Sequence, residues 1–207
     1  MPLFFWTGIR YHPDMSRPFI IATVAEKGGG KGLFIQLTRK ILPEKKIVSV
    51  RFSDIWREIV HLLGQEESRE NISQLATAVR AAFKNEGILV DAMHKRLQGI
   101  DADIVILDGL RKAEEVQPMV RDRGGILLYI ATSPEARFAR RREHAETTDE
   151  KGMTWEQFMR HEAIPTETSI RTIGETMADA IIENNGTVEE FGTRVAAFLK
   201  ARVVPRL

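Results

Sequence analysis

The chain has 207 residues, 43% of them hydrophobic, with 30 basic against 29 acidic side chains and a net charge of +1. This is enough for one sizeable core and offers no sign of a second, while the near-balanced charge excludes a global pull toward nucleic acid or acidic membrane, so any basic site is local. Cysteine is absent, which excludes disulfides, thiolate catalysis and four-cysteine zinc sites and makes a cytoplasmic protein the expectation.

The first apolar patch, Leu3-Phe4-Phe5-Trp6, is too short to span a bilayer and lacks the flanks of a secretory signal. Residues 1–17 read as an N-terminal extension, either packed on the domain or disordered. From Ile20 to Val24 an apolar run empties into Ala25-Glu26-Lys27-Gly28-Gly29-Gly30-Lys31-Gly32-Leu33 and then into a helical pattern. A strand, three glycines, a lysine and a helix in that order form a phosphate cradle. The glycines let the backbone wrap an anion, the helix points its positive end at it, and Lys31 adds a mobile charge. Gly28, Gly29, Gly30, Lys31, Gly32 and Leu33 are therefore the candidate phosphate-binding residues. Against the template G-x-x-x-x-G-K-[ST], Ala25 replaces the first glycine and Gly32 the hydroxyl residue that touches magnesium, and Leu33 supplies no hydroxyl either. Glu26 brings a carboxylate to a site built for anions, partly offset by Lys27. The plain alternative is a glycine-rich strand-to-helix turn without a ligand.

Leu33, Phe34, Leu37 and Ile41 repeat at helical spacing until Pro43, and Ile47 to Phe52 reads as a strand. Ser53 is the predicted cap of a helix carrying Ile55, Ile59 and Leu62. Asn71 is the predicted cap of one carrying Ile72, Leu75, Val79 and Phe83, and Gly87 separates that from Leu89, Met93 and Leu97. Asp103 to Leu107 and Ile126 to Ile130 are nearly pure apolar strands that must be covered on both faces. Pro118 predicts a kink or early end in a helix over 112–121. Glu143 to Thr154 reads as an irregular, flap-like stretch, and Thr154 with Gln157 as a capping box. Trp155 and Phe158 follow as core anchors. Ala180 to Ile182 is a last strand, and Thr187 with Glu190 caps a final helix. Five strands separated by helices predict a three-layer α/β/α fold with a five-stranded parallel sheet.

Asp108-Gly109-Leu110-Arg111 falls at the carboxyl end of the third strand, the edge where open parallel sheets bind ligands, so Asp108 can hold a hydrated magnesium ion and Arg111 can fork onto a phosphate. Asp54 and Arg57 follow the second strand on the same edge; their plain reading is a surface ion pair three residues apart. The five histidines show no metal-ligand spacing.

This order of elements, from about Ile20 to Leu199, resembles the nucleoside-monophosphate kinases, which include adenylate kinase and, more distantly, dephospho-CoA kinase. Asp54-x-x-Arg57 and Asp108-Gly109-Leu110-Arg111 are similar to their segments after the second and third strands, and Thr132 to Arg142 to their lid. Ala178 to Thr187 is similar to their last strand and adenine-side loop. The resemblance implies a phosphate-loop fold over 18–202, an acceptor-binding helical insert about 53–100, a lid about 132–165 and a tail at 203–207. It implies ATP-dependent phosphoryl transfer, with Mg2+, to a small phosphorylated acceptor, most simply a nucleoside or deoxynucleoside monophosphate. Lys31, Asp108, Arg137 and Arg140 are then catalytic, with Asp108 orienting the metal through water. Asp54, Arg57, Arg80 and Arg111 bind the acceptor, with Arg69, Asn71 and Gln74 as weaker candidates on the same helices. Neither nucleic acid nor membrane is an expected partner. Two alternatives stay open: a dephospho-CoA kinase-like or other small-molecule kinase, and a nucleotide-binding module whose altered loop has lost catalysis.

Overall fold

A computed structural model describes residues 18–143 and 152–207. The expected N-terminal extension and residues 144–151 of the expected flap lie outside the described residues. Five strands, β1 (Phe19–Val24), β2 (Ile47–Arg51), β3 (Ile104–Asp108), β4 (Ile126–Ala131) and β5 (Ala180–Glu183), form one sheet in the order β2-β3-β1-β4-β5. Every neighbouring pair is parallel.

Side chains of a strand alternate between faces, and here both faces are apolar. Ile20, Ala22 and Val24 join Val105, Leu107, Leu127 and Tyr129 in one core cluster, while Ile21 joins Ile104, Ile106, Ile126, Leu128 and Ile130 in another. The first face is covered by α2 (Asp54–Leu62), α3 (Arg69–Phe83), α4 (Ile88–Gln98) and α8 (Pro165–Met177) through Trp56, Ala76, Met93 and Ile173. The second is covered by α1 (Lys31–Ile41) and α9 (Val188–Phe198) through Phe34, Phe191 and Val195. Covering both faces is what strands without polar alternation require, and the predicted three-layer α/β/α architecture is the one formed.

Pro118 breaks its segment as expected. Only α5 (Val116–Met119) is α-helical, between 3-10 turns at Ala113–Glu115 and Arg121–Arg123. Both predicted capping boxes form, Thr154 with Gln157 ahead of α7 (Trp155–Glu162) and Thr187 with Glu190 ahead of α9.

Other local expectations need correction. The cap of α3 is Ser68, whose hydroxyl accepts from the Asn71 amide, because the helix begins two residues before Asn71. Ser53 precedes α2 with helical dihedrals and makes no capping bond. The buried seam of α2 is Trp56 and Val60, which leaves Leu62 on the solvent side, and Phe83 is likewise exposed at the end of α3. The expected tail is no tail: the helical path continues from α9 through Arg206, and Val203 is fully buried in the second core cluster. Trp155 is only partly covered, whereas Phe158 is fully buried. Among the described residues, no helix is long and apolar enough to cross a membrane.

Candidate active site

β1 lies between β3 and β4, so the connections leaving its two sides diverge and open a crevice at the carboxyl edge of the sheet. The glycine loop fills that position. Gly28 has φ 83° and Gly30 φ 101°, both left-handed, and Gly30 is the residue from which α1 starts. The first amides of α1 have no acceptor within the helix, and its dipole adds partial positive charge there. The loop is fastened from behind, since the Gly29 carbonyl accepts from Thr132 Oγ1 at 3.0 Å and from Asn184 Nδ2 at 3.0 Å. Both donors sit just past the ends of β4 and β5, so the sheet edge itself sets the loop's shape.

Lys31 stands in the crevice with Nζ donating to the Ala25 carbonyl at 2.8 Å and 3.9 Å from Asp108 Oδ1. Burial pushes its ammonium below the ordinary lysine value, and Asp108 is the strongest influence in the opposite direction. The Arg111 charge lowers it further, while Glu167 and Glu26 raise it. Gly32 faces open space, and Leu33 turns its side chain into the second core cluster. Neither supplies a hydroxyl.

Asp108 closes β3 directly opposite Thr23 of β1 and Arg51 of β2. Its Oδ2 is 3.6 Å from Arg51 Nε, and its Oδ1 is buried with no hydrogen-bond partner. An orphaned carboxylate oxygen beside the phosphate loop fits a hydrated magnesium ion held through water. The loop offers that ion no direct protein ligand, and among the described residues no group of three or more metal-ligating side chains exists. Arg51 was missed in the sequence; the available signal was that it ends β2 on the same edge.

The acceptor-side candidates are dispersed. Asp54 and Arg57 do not pair with one another: Asp54 Oδ2 accepts from the Arg51 amide at 3.3 Å, whereas Arg57 is ion-paired with Glu67 and its Nε lies 3.4 Å from Ser53 Oγ. Arg111 has its backbone fixed on both sides, its amide donating to Glu115 Oε2 and its carbonyl accepting from Ser169 Oγ, each at 2.8 Å. Its guanidinium is within electrostatic reach of Lys31. Arg80 follows the buried Ala76 by one helical turn, and its Nε is buried without a hydrogen-bond partner. Asn71 donates to the Glu66 carbonyl and Gln74 to Glu70, both local contacts within the insert.

The two lid arginines separate. Arg137, on α6 (Pro134–Glu143), is fully buried, so the expectation that it folds over a transferring group is corrected. Its guanidinium makes a bidentate pair with Glu162 at 2.7 and 2.5 Å, and its Nε donates to the Thr132 carbonyl. Arg140 reaches the loop edge, where Nη2 donates to the Asn184 carbonyl at 2.8 Å while Nη1 is buried without a partner. Glu26 is also corrected. Its carboxylate accepts from Tyr129 Oη and Arg171 Nε beneath the loop, so it does not oppose an anion at the loop's mouth.

No family model matches the chain. A UPF0200 protein of Hyperthermus butylicus is 25% identical over 172 residues, 83% of this chain and 88% of the relative. One of Sulfurisphaera tokodaii is 26% identical over 186 residues, 90% and 98% of the two chains. Among solved structures, shikimate kinase from Bacteroides thetaiotaomicron aligns with a TM-score of 0.54 at 16% identity over 88% of this chain and 98% of that one. Shikimate kinase from Acinetobacter baumannii, in complex with shikimate, gives 0.52 at 15% over 90% and 96%. The chain has the phosphate-loop kinase fold. A gluconokinase from Sinorhizobium meliloti is a third neighbour, at a TM-score of 0.50 and 10% identity over 89% and 92%. In this kinase fold the glycine loop, Lys31 and Asp108 sit together at the carboxyl edge of the sheet.

Proposed function

We propose that the protein transfers the terminal phosphoryl group of ATP to a small anionic acceptor. The observation that carries this is the meeting of three elements: left-handed glycines leading into α1, Lys31 in the crevice, and beside it the Oδ1 of Asp108, buried and without a hydrogen-bond partner. Phosphoryl transfer needs little covalent help from protein, so positioning and charge stabilisation are the work such residues can do.

The Gly28, Gly30 and Gly32 amides and Lys31 hold the donor phosphates while the Gly29 amide stays bonded to the Glu26 carbonyl at 2.9 Å, and Lys31 exchanges its Ala25 carbonyl for a phosphate oxygen on binding. Asp108 accepts hydrogen bonds from water around the divalent ion, and that ion, when bound, neutralises charge on the triphosphate. During transfer the bond from the terminal phosphorus to the bridging oxygen of ADP breaks as an acceptor oxygen bonds to phosphorus. Arg140, at the loop edge, offers an unpaired Nη1 to the developing charge.

On the acceptor side the favoured substrate is a nucleoside or deoxynucleoside monophosphate. Arg111 beside Lys31 and Arg51 beside Asp108 make this end cationic, and Arg80, whose Nε has no hydrogen-bond partner, is assigned to the acceptor with them. Arg57 joins them by exchanging Glu67 for the acceptor, and Asp54 holds the β2–α2 corner that carries it. A second reading, a kinase of a carboxylate-bearing hydroxyl compound, is favoured by the solved neighbours described as shikimate kinase and gluconokinase. A third, a binding module without turnover, is favoured by the absent hydroxyl at Gly32 and Leu33. The test presents ATP–Mg2+ with nucleoside monophosphates, dephospho-CoA, shikimate and gluconate, and follows ADP release with each. Turnover with a nucleoside monophosphate supports the first reading, turnover only with a sugar acid or shikimate the second, turnover only with dephospho-CoA a dephospho-CoA kinase-like activity in place of both, and tight ATP binding without turnover the third.

A further inference from the structure

The two residues that lead into the glycines, Glu26 and Lys27, are each held from below by an arginine, and both arginines meet on one carboxylate. Glu26 Oε1 accepts from Arg171 Nε at 3.0 Å, and both Glu26 oxygens lie 3.1–3.2 Å from Tyr129 Oη. The Lys27 carbonyl lies 3.5 Å from Arg137 Nη1. Arg137 and Arg171 both reach Glu162 on α7, at 2.5 and 3.3 Å from its Oε2.

The members are deeply covered. The side chains of Arg137, Glu26 and Glu162 are 0, 2 and 5% exposed, and only Arg171, at 37%, reaches solvent. Arg137 also lies over the Phe158 ring at 5.5 Å. Burying charges is costly even when they pair, and a hydrophobic set of the same volume often serves stability as well. Stability alone therefore does not account for a four-charge chain running from α7 and α8 to the entrance of the phosphate loop. The Tyr129 hydroxyl adds to it as a donor: burial, and next the Glu26 charge, push its pKa up, so it stays protonated.

We propose that Glu162 is a positioning residue for the donor site, holding the phosphate loop in its anion-accepting shape through Arg137 and Arg171. It touches no substrate and acts by fixing the carbonyl of Lys27 and the carboxylate of Glu26, between which and Lys31 the three glycines are strung. Through it, donor affinity depends on how α7 and α8 are seated. This rests on the proposed kinase reading, since it takes the loop to be a triphosphate site.

The experiment compares the full chain with the double variant Arg137→Met/Glu162→Leu and with Met93→Ala, a cavity in α4 on the fully buried Met93. Melting temperature, ATP–Mg2+ affinity by calorimetry well below melting, and hydrogen exchange at the Gly28–Gly30 amides without nucleotide are read for each. The double variant is expected to melt near the wild type yet to bind ATP about tenfold more weakly, with faster loop exchange. Met93→Ala is expected to melt lower with unchanged affinity and loop exchange. The proposal is overturned when the double variant keeps wild-type affinity and loop exchange, or when Met93→Ala weakens ATP binding as much. A wild-type chain that binds no ATP–Mg2+ sinks the kinase reading instead, and the exchange measurement still decides whether Glu162 holds the loop.

Discussion

Gly30, the last residue of the loop, and Gly32, in the first turn of α1, sit two residues apart and should respond in opposite directions to the same added methyl group. Gly30 has φ 101°, and a Cβ there would fall well inside contact distance of Asn184 Nδ2. That nitrogen cannot swing away freely. Asn184 is buried, its Nδ2 donates to the Gly29 carbonyl at 3.0 Å, and its Oδ1 lies 3.3 Å from Arg140 Nη2. Gly30→Ala thus adds a left-handed backbone penalty of about 1–2 kcal/mol and the loss of a buried hydrogen bond worth about 1–3 kcal/mol. The sum, about 2–5 kcal/mol, lowers the melting temperature by about 4–20 °C for a domain of this size. Gly32 lies in the first turn of α1 and a Cβ there meets nothing within 4 Å. Gly32→Ala should therefore raise stability by up to about 1 kcal/mol through helix propensity alone. Thermal melts read both variants, and titration with ATP–Mg2+ reads the loop, with Gly30→Ala expected to bind more weakly. If Gly30→Ala melted within about 2 °C of the wild type, no more than a loss of about 1 kcal/mol would give, the account of Asn184 as the loop's fastener would be wrong.

Lys31→Ala should abolish productive ATP binding without loss of fold, as a binding titration beside a melt will show. Burial disfavours the Lys31 ammonium, so its charge is a cost to the fold at neutral pH. That cost fades as pH rises through the lowered folded value toward the unfolded one, so wild type and variant should converge in stability at alkaline pH. Asp108→Asn keeps the size of the side chain but loses its charge, and should reduce turnover far more than ATP affinity; equal turnover across a magnesium titration would remove Asp108 from the site. Arg111→Lys keeps charge but loses the planar fork, and should raise the acceptor KM strongly with the ATP KM nearly unaltered. Should a neutral acceptor be phosphorylated efficiently and without regard to that substitution, the anionic-acceptor reading fails.

Much of this protein was legible along the chain because the deciding forces are local. Five apolar runs, three glycines before a lysine, Pro118 and the Thr154 and Thr187 boxes each act through backbone dihedrals, a missing amide or a contact three residues away. They determined the alternation of strands and helices, the parallel sheet that buries both faces, and the place of Lys31 and Asp108 at its carboxyl edge. What the sequence could not determine was the partner of each charge. Glu26 looked like an anion placed against an anion site, until β4 and α8 brought Tyr129 and Arg171, 103 and 145 residues away, beneath it. Arg137 and Arg140 looked equivalent on one helix, yet one is buried against Glu162 and the other reaches the loop through Asn184. Charge pairing is long-range in sequence and short-range in space, so only the packing of α7 and α8 under the loop decided which arginines build the site and which face it.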